Sequence, residues 1–149
     1  MLAGMAVKRM DNVGIVFADL KAAVAFFLEL GLELEGQGSA DGQWVNSIVG
    51  LDDVHVDIAM MRTPDGHSKL ELMQFQHPAA VGADPNAPAN TLGLRRLMFA
   101  VDDIDDVITR LRPHGAELVG EVAQFENLYL MCYLRGPEGV IVALAQELF

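Results

Sequence analysis

One carboxylate is of interest because the chain repeats its surroundings and omits it from the second copy. Residues 62–74 read RTPDGHSKLELMQ and residues 135–146 read RGPEGVIVALAQ, so both have a tight turn followed by an apolar strand. The first copy has Glu71 where the second has Ala143. A carboxylate on a strand can bind a metal ion or act as a general base, whereas a methyl group can do neither. The comparison predicts that the two copies share a structure but not a chemistry.

The other reactive side chains form no known catalytic motif. The four histidines are not placed at metal-ligand spacing from one another, and the sequence has no nucleotide-binding loop, nucleophile elbow or zinc-protease helix. Cys132 is the only cysteine and has no base near it in the sequence, so we expect it to pack as a small hydrophobic residue. We therefore expect no catalytic or metal-binding role for the histidines or Cys132, and Glu71 remains the candidate.

Composition limits the classes of partner. The 149 residues include 21 acidic and 10 basic side chains, which gives a formal net charge of −11 at pH 7, and there is no basic run. Such a chain repels nucleic acid, and every long apolar stretch is interrupted by charge, so we expect no membrane-spanning helix. The opening MLAGMAVKRM lacks the order of a signal peptide, so we expect a cytoplasmic location.

The chain is a tandem repeat with an offset of 84 residues. Glycines, capping aspartates and apolar residues recur at that offset: Asp19 with Asp103, Leu20 with Ile104, Gly31 with Gly115, Glu33 with Glu117, Leu34 with Leu118 and Gly36 with Gly120. Chance rarely aligns so many turn and cap residues, so we interpret the chain as two units of similar structure.

Each unit is predicted to be βαβββ. A strand rich in β-branched and aromatic residues comes first, and an aspartate then caps a helix that ends at Gly31 or Gly115. We predict strands at residues 12–17, 32–35, 54–61 and 69–75 of the first unit, and at 96–101, 117–124, 128–134 and 140–146 of the second. Three of the six prolines fall in residues 76–92, which we interpret as the linker.

Residues 37–53 interrupt the first unit only. Within them Trp44, Val45, Ile48 and Val49 could form one short amphipathic helical turn. This segment is either a lip over a pocket or a place where Trp44 packs on the edge of the sheet.

These motifs resemble the vicinal oxygen chelate superfamily. The first strand with its cap reads NVGIVFADL, the helix ends in FFLELGLE, and the last strands follow PDG and PEG turns. The superfamily includes glyoxalase I, methylmalonyl-CoA epimerase, extradiol dioxygenases and bleomycin-resistance proteins. The resemblance implies an α+β fold in which two βαβββ modules curve into a cup within a single domain, residues 1–149. Module one would cover about 8–76, the linker about 77–92 and module two about 93–148, and a homodimer is expected.

The resemblance also implies where the enzymes of that superfamily hold a divalent metal. The ligand positions fall on Asn12, Glu71, Arg96 and Ala143. Ala143 has no donor atom, and the guanidinium of Arg96 has a fixed positive charge and no lone pair to give. We therefore predict a degenerate site with no metal and no cofactor, in which Glu71 and Arg96 form an ion pair across the cup.

Strand alternation predicts the side chains that share the cup with these positions. They are apolar, aromatic or soft, which suits a pocket for a small molecule. The predicted ligand-binding residues are Asn12, Trp44, Met73, Phe75, Met98, Glu121, Met131 and Tyr133.

The favoured function is small-molecule binding of the glyoxalase/bleomycin-resistance type, with a hydrophobic or cationic compound in the cup because the net charge opposes anions. An alternative is a glyoxalase-like or methylmalonyl-CoA-epimerase-like lyase or isomerase, or a dioxygenase. Glu71 would then be the base or a weak metal ligand, and Arg96 would stabilise an anion, which makes these two the candidate catalytic residues. A third possibility is a structural or regulatory dimer with a collapsed cup.

Overall fold

The computed structural model describes Gly4 and residues 6–149, and its elements follow the predicted order twice. The first module contains β1 (Val13–Val16), α1 (Leu20–Leu30), β2 (Glu33–Asp41), α2 (Gln43–Val49), β3 (His55–Arg62) and β4 (Lys69–His77). The second contains β5 (Arg96–Ala100), α3 (Ile104–Leu111), β6 (Glu117–Leu118), β7 (Ala123–Phe125), β8 (Tyr129–Arg135) and β9 (Ile141–Glu147).

Each module has its own mixed sheet. The strand order is β1-β4-β3-β2 in module one and β5-β9-β8-β6 in module two, where β7 also pairs with β8. The first and last strands of each module are parallel neighbours, and the other pairs are antiparallel. The α+β fold with two repeated units is therefore confirmed. No helix among the described residues combines the length and the apolar character that crossing a bilayer requires.

The repeated glutamine of the two turn-and-strand copies has a structural role. The side-chain oxygen of Gln74 accepts a hydrogen bond from the backbone N–H of Leu20 at 2.9 Å, and Gln146 does the same for Ile104 at 2.8 Å. The backbone N–H groups at the start of a helix have no partner within the helix, so these bonds satisfy donors that would otherwise be half-buried and unpaired. The last strand of each module thus completes the helix that follows its first strand.

The predicted helix caps are also present. The carboxylate of Asp19 accepts from the N–H of Ala22 at 3.0 Å, and that of Asp103 accepts from Asp106 at 3.1 Å. Helix α1 ends at Gly31 as predicted. The second helix ends earlier than expected, since α3 stops at Leu111 and a single 3-10 turn leads to Gly115.

Two predicted strands were placed wrongly. β2 continues to Asp41 and pairs with β3 over the residues that we had assigned to an excursion, which therefore reduces to α2 and its flanking turns. The predicted strand at residues 117–124 is split into β6 and β7. Between the pairs Leu118–Leu134 and Ala123–Met131 the chain has two more residues than β8 opposite it, so continuous pairing is impossible.

The two modules share one hydrophobic core built around their helices. The core includes buried residues of α1, of α3 and of the helix-facing sides of both sheets. The buried ring of Phe26 lies against the backbone of Gly136, in the turn of the other module, and makes an edge-to-face contact with Phe27 at 5.2 Å. The backbone N–H of Ala18 donates to the Glu138 carboxylate of that same turn at 3.1 Å. The modules are thus packed together and not merely tethered.

The linker is held against module two by one arginine. The Arg135 guanidinium donates to the backbone carbonyls of Pro85 at 3.2 Å and Ala87 at 2.9 Å, and also to Gly139. Gly139 has a φ of +79° and lies so close to the linker that a Cβ there would be 2.6 Å from the carbonyl carbon of Pro85. A glycine is therefore required at this crossing for both conformation and space.

Candidate functional site

Each sheet has a side turned away from the core helices α1 and α3, which we call its open face. On β4, Leu70 and Leu72 point into the core, so Glu71, Met73 and Phe75 lie on the open face of module one. On β9, Leu144 points into the core, so Ala143 lies on the open face of module two. Two of the positions implied by the family resemblance, Glu71 and Ala143, therefore fall on open faces, as alternation predicts.

The open face of module one is shaped by a glycine and by α2. Gly14 pairs with Glu71, and a Cβ on Gly14 would be 3.1 Å from the Cε of Met73, so the glycine makes room for that side chain. Asn12 precedes β1 and is exposed. Glu71 is half-buried and forms no ion pair within the described chain.

The short helix α2 forms where a helical turn was expected, but of its four apolar residues only Val45 is buried. Val45 is buried with Val54 and Val56, and Met73 and Phe75 pack against this small cluster. Trp44 is 74% exposed, so the interpretation that it packs on the sheet edge is wrong. Because α2 covers part of the open face, Phe75 packs against the valine cluster and offers less surface to a ligand than we expected.

The open face of module two contains an unexpected pair. The Arg96 guanidinium carbon lies 5.2 Å from the centre of the Tyr133 ring, which is a cation–π arrangement. Arg96 is on β5 and Tyr133 on β8, and β9 runs between them. On β9, Ile141 lies opposite Arg96, and Ala143, the next residue on this face, pairs directly with Tyr133; both are buried. Because residue 143 is an alanine and not a glutamate, no carboxylate competes with the ring of Tyr133 for Arg96.

The predicted ion pair between Glu71 and Arg96 is not formed. The two residues belong to different sheets, and the ion pairs of the described residues include neither of them. Within one chain the partner of Arg96 is an aromatic ring. The sequence could have predicted the position of Tyr133. In an antiparallel hairpin centred on Glu138, residues at equal distances from Glu138 pair with each other, so Tyr133 lies opposite Ala143.

A cavity continues from Tyr133 along β8. It has a volume of about 310 Å³ and is lined by Val119, Gly120, Glu121, Met131, Cys132 and Tyr133. Three predicted ligand-binding residues, Glu121, Met131 and Tyr133, are therefore brought together. Burial raises the pKa of the Cys132 thiol, which keeps it protonated and poorly nucleophilic near neutral pH. Met98, on the same open face, is 51% exposed.

Two larger cavities include only one predicted site residue, Met98, which lines the first of them. One of about 650 Å³ lies where β5 and α3 meet the end of α1 and the β3–β4 turn, and it has Asp65, Asp102, Asp103 and Asp106 in its lining. The other, of about 660 Å³, is lined by residues of α1, β2, β3 and β4. Neither is lined by Glu71, Arg96 or Tyr133.

The donor chemistry does not fit a divalent metal at the family positions. Only Glu71 offers a strong oxygen ligand, Asn12 offers a weak one, and Ala143 offers none. The Arg96 cation would face the metal with a repulsion of several kcal/mol at an effective dielectric constant of about 20. No group of three or more histidine, cysteine, aspartate or glutamate side chains in the part of the chain that the structure describes is placed to hold a metal ion. Transition-metal sites in proteins typically use three or four side-chain ligands.

The fold and the paired modules place the chain in a known class. A family model described as the Glyoxalase/Bleomycin resistance protein/Dioxygenase superfamily matches residues 11–133, so the chain belongs to that superfamily. More particularly, the structure is similar to that of a glyoxalase family protein from Bacillus cereus, with a TM-score of 0.95 and 50% sequence identity over 100% of both chains.

Two further proteins are similar at lower sequence identity. The uncharacterized protein YwbC of Bacillus subtilis is 25% identical over 143 residues, which is 94% of this chain and 98% of that protein. The antibiotic-binding protein TnmS3 from Streptomyces sp. CB03234 has a TM-score of 0.59 and 19% identity, with 96% of this chain and 98% of that chain covered. Likeness at this last level shows a shared fold.

Proposed function

We propose that the protein binds a small, largely apolar molecule at an open face, without a metal ion. The observation that carries this proposal is the open face of module two. There Met131 and Tyr133 are half-buried and line a cavity of about 310 Å³, and Met98 of the same face is half-exposed. Apolar and aromatic linings with few polar groups are typical of ligand sites. The antibiotic-binding relative supports the proposal by showing that this fold can host such a function.

The charges near module two favour a hydrophobic ligand over a cationic one. The net charge of −11 attracts cations at a distance, but Arg96 is a positive charge at contact distance on the open face of module two. Screening limits long-range attraction to about 8 Å at physiological ionic strength. A cationic compound would therefore suit only module one, beside Glu71, and we propose a hydrophobic ligand for module two.

A neutral probe tests metal-independent binding. We expect N-phenyl-1-naphthylamine, which fluoresces in apolar surroundings, to bind saturably with an affinity that EDTA, Ni²⁺, Zn²⁺ and Mn²⁺ do not change. Met98→Asp should weaken binding about tenfold, because a carboxylate replaces apolar contact surface. Val81→Asp is the matched control, since Val81 is 95% exposed in the linker.

Either of two results would refute the proposal. Absence of saturable binding by a folded wild-type protein would exclude an apolar site. Tight, stoichiometric metal binding that strengthens the uptake of the probe would show that our account of the degenerate site is wrong.

We also propose that the protein is a homodimer. β1 and β5 are edge strands of their sheets, and each exposes an apolar side chain on its open face, Val16 at 42% and Met98 at 51%. Free strand edges with apolar side chains are commonly covered by a second subunit. Sedimentation velocity at micromolar concentration should give about twice the chain mass of 16.2 kDa. A single monomeric species over that concentration range would contradict this prediction.

A further inference from the structure

Arg96 has no acidic partner within the described chain. Arg9, Arg62 and Arg110 each form an ion pair with a nearby carboxylate. Arg96 forms neither an ion pair nor a side-chain hydrogen bond among residues 6–149. Its guanidinium lies over the face of the Tyr133 ring. Its guanidinium N–H donors therefore have no protein acceptor there.

The position of Arg96 makes this absence meaningful. Arg96 is exposed, and its neighbours on the open face are Met98, Ile141 opposite it on β9 and the ring of Tyr133, none of which carries a charge. A cation–π contact uses the flat face of the guanidinium and leaves the N–H groups at its edge free to donate in the plane. Holding the group against a ring also reduces the conformational freedom that binding would otherwise remove.

Beyond Arg96, the open face of module two is largely apolar. Tyr133 both supports Arg96 and lines the cavity that Met131 extends. A molecule with its charged end at Arg96 could therefore place an apolar body along Met98 or toward Met131. Glu121, at the side of the cavity, would repel a second negative charge.

We propose that Arg96, supported by Tyr133 across Ala143, is an anion-recognition group, and that the natural ligand is an organic acid with one negative charge and an apolar body. This inference rests on the proposed function and specifies its ligand class. The planar fork of a guanidinium matches the two oxygens of a carboxylate and also binds a sulfonate. The net charge disfavours dianions, while a single charge in contact with Arg96 is stabilised locally.

Two probes that differ mainly in one charge test the proposal. 1-Anilinonaphthalene-8-sulfonate carries a sulfonate, and N-phenyl-1-naphthylamine is nearly the same aromatic body without it. We expect the wild type to bind the sulfonate at least about tenfold more tightly, because a hydrogen bond to a charged group contributes more than a neutral one. Arg96→Gln should remove this preference, so that the affinities of the two probes fall within about twofold of each other. 2-Naphthoate should displace the sulfonate probe from the wild type, which extends the result to a carboxylate.

Matched variants separate the site from general effects. Arg62→Gln removes an arginine that is paired with Glu33, so it should change neither affinity. Tyr133→Leu keeps the charge and removes its support, so it should weaken the sulfonate probe several-fold, and Tyr133→Phe should restore it. Melting curves of each variant confirm that the folded protein is compared. If Arg96→Gln does not fold, the comparison of Tyr133→Leu with Tyr133→Phe still tests whether the supported arginine binds the anion.

The outcomes distinguish this inference from the proposed function. If both probes bind with equal affinity and the Arg96 and Tyr133 variants change neither, the protein binds apolar molecules and the anion anchor is wrong. If a folded wild type binds neither probe, the proposed function fails and the inference fails with it.

Discussion

Gly139→Ala should destabilise the protein by about 2 kcal/mol more than Gly66→Ala, although the two glycines are equivalent residues of the repeated turn. Both have a left-handed backbone, with φ of +79° and +75°. A side chain in that conformation costs about 1–2 kcal/mol at either position. Nothing lies within 4 Å of a Cβ built on Gly66, whereas one on Gly139 would overlap the backbone of Pro85.

The additional cost at Gly139 comes from the linker. To accommodate a methyl group the linker must move away, and Arg135 then loses its bonds to the carbonyls of Pro85 and Ala87. For a chain of this size the difference corresponds to roughly 4–8 °C in melting temperature. Thermal and urea unfolding of both variants measure it. Equal losses in the two variants would mean that the linker is not held against module two.

Phe26→Ala should cost about 3–5 kcal/mol, the range for removing a buried aromatic ring. Phe26 is fully buried and touches both modules, through Phe27 on its own helix and through the Gly136 turn of the second module. The cavity left behind cannot close easily, because Phe26 belongs to a close-packed core that includes buried residues of both modules.

Leu28→Ala provides the control on the same helix. Leu28 lies two residues further on and is 47% exposed, so we expect a loss below about 1 kcal/mol. Urea unfolding should remain one transition in the wild type, because the modules share a core. A loss at Phe26 no larger than that at Leu28 would contradict the shared core.

Features that depend on local signals could be predicted from the sequence. The aspartate caps and Gly31 fix helix ends through contacts within a few residues, and the 84-residue repeat transfers one module's pattern to the other. The family followed from the same motifs. Element order was therefore predictable before any strand pairing was known.

Features that depend on pairing between distant strands were not predicted. The length of β2 is set by β3, which continues opposite it to His55, and the break between β6 and β7 is set by a mismatch with β8. Arg96 was assigned to Glu71 by analogy with a metal site. It instead contacts Tyr133, because a small residue at position 143 opens the space between them.

The bond from Gln74 to the first turn of α1 has a consequence for the order of synthesis. The helix begins at Leu20, but the side chain that satisfies its first N–H is added 54 residues later, and the parallel partner of β1 arrives only with β4. The carboxylate that accepts from Ala18 comes later still, 120 residues along the chain. A nascent chain that ends before Gln74 therefore lacks the atoms that complete its first module. On the ribosome, an unfinished first module must wait with the N–H of Leu20 and the strand β1 unpaired, exposed to whatever binds nascent chains.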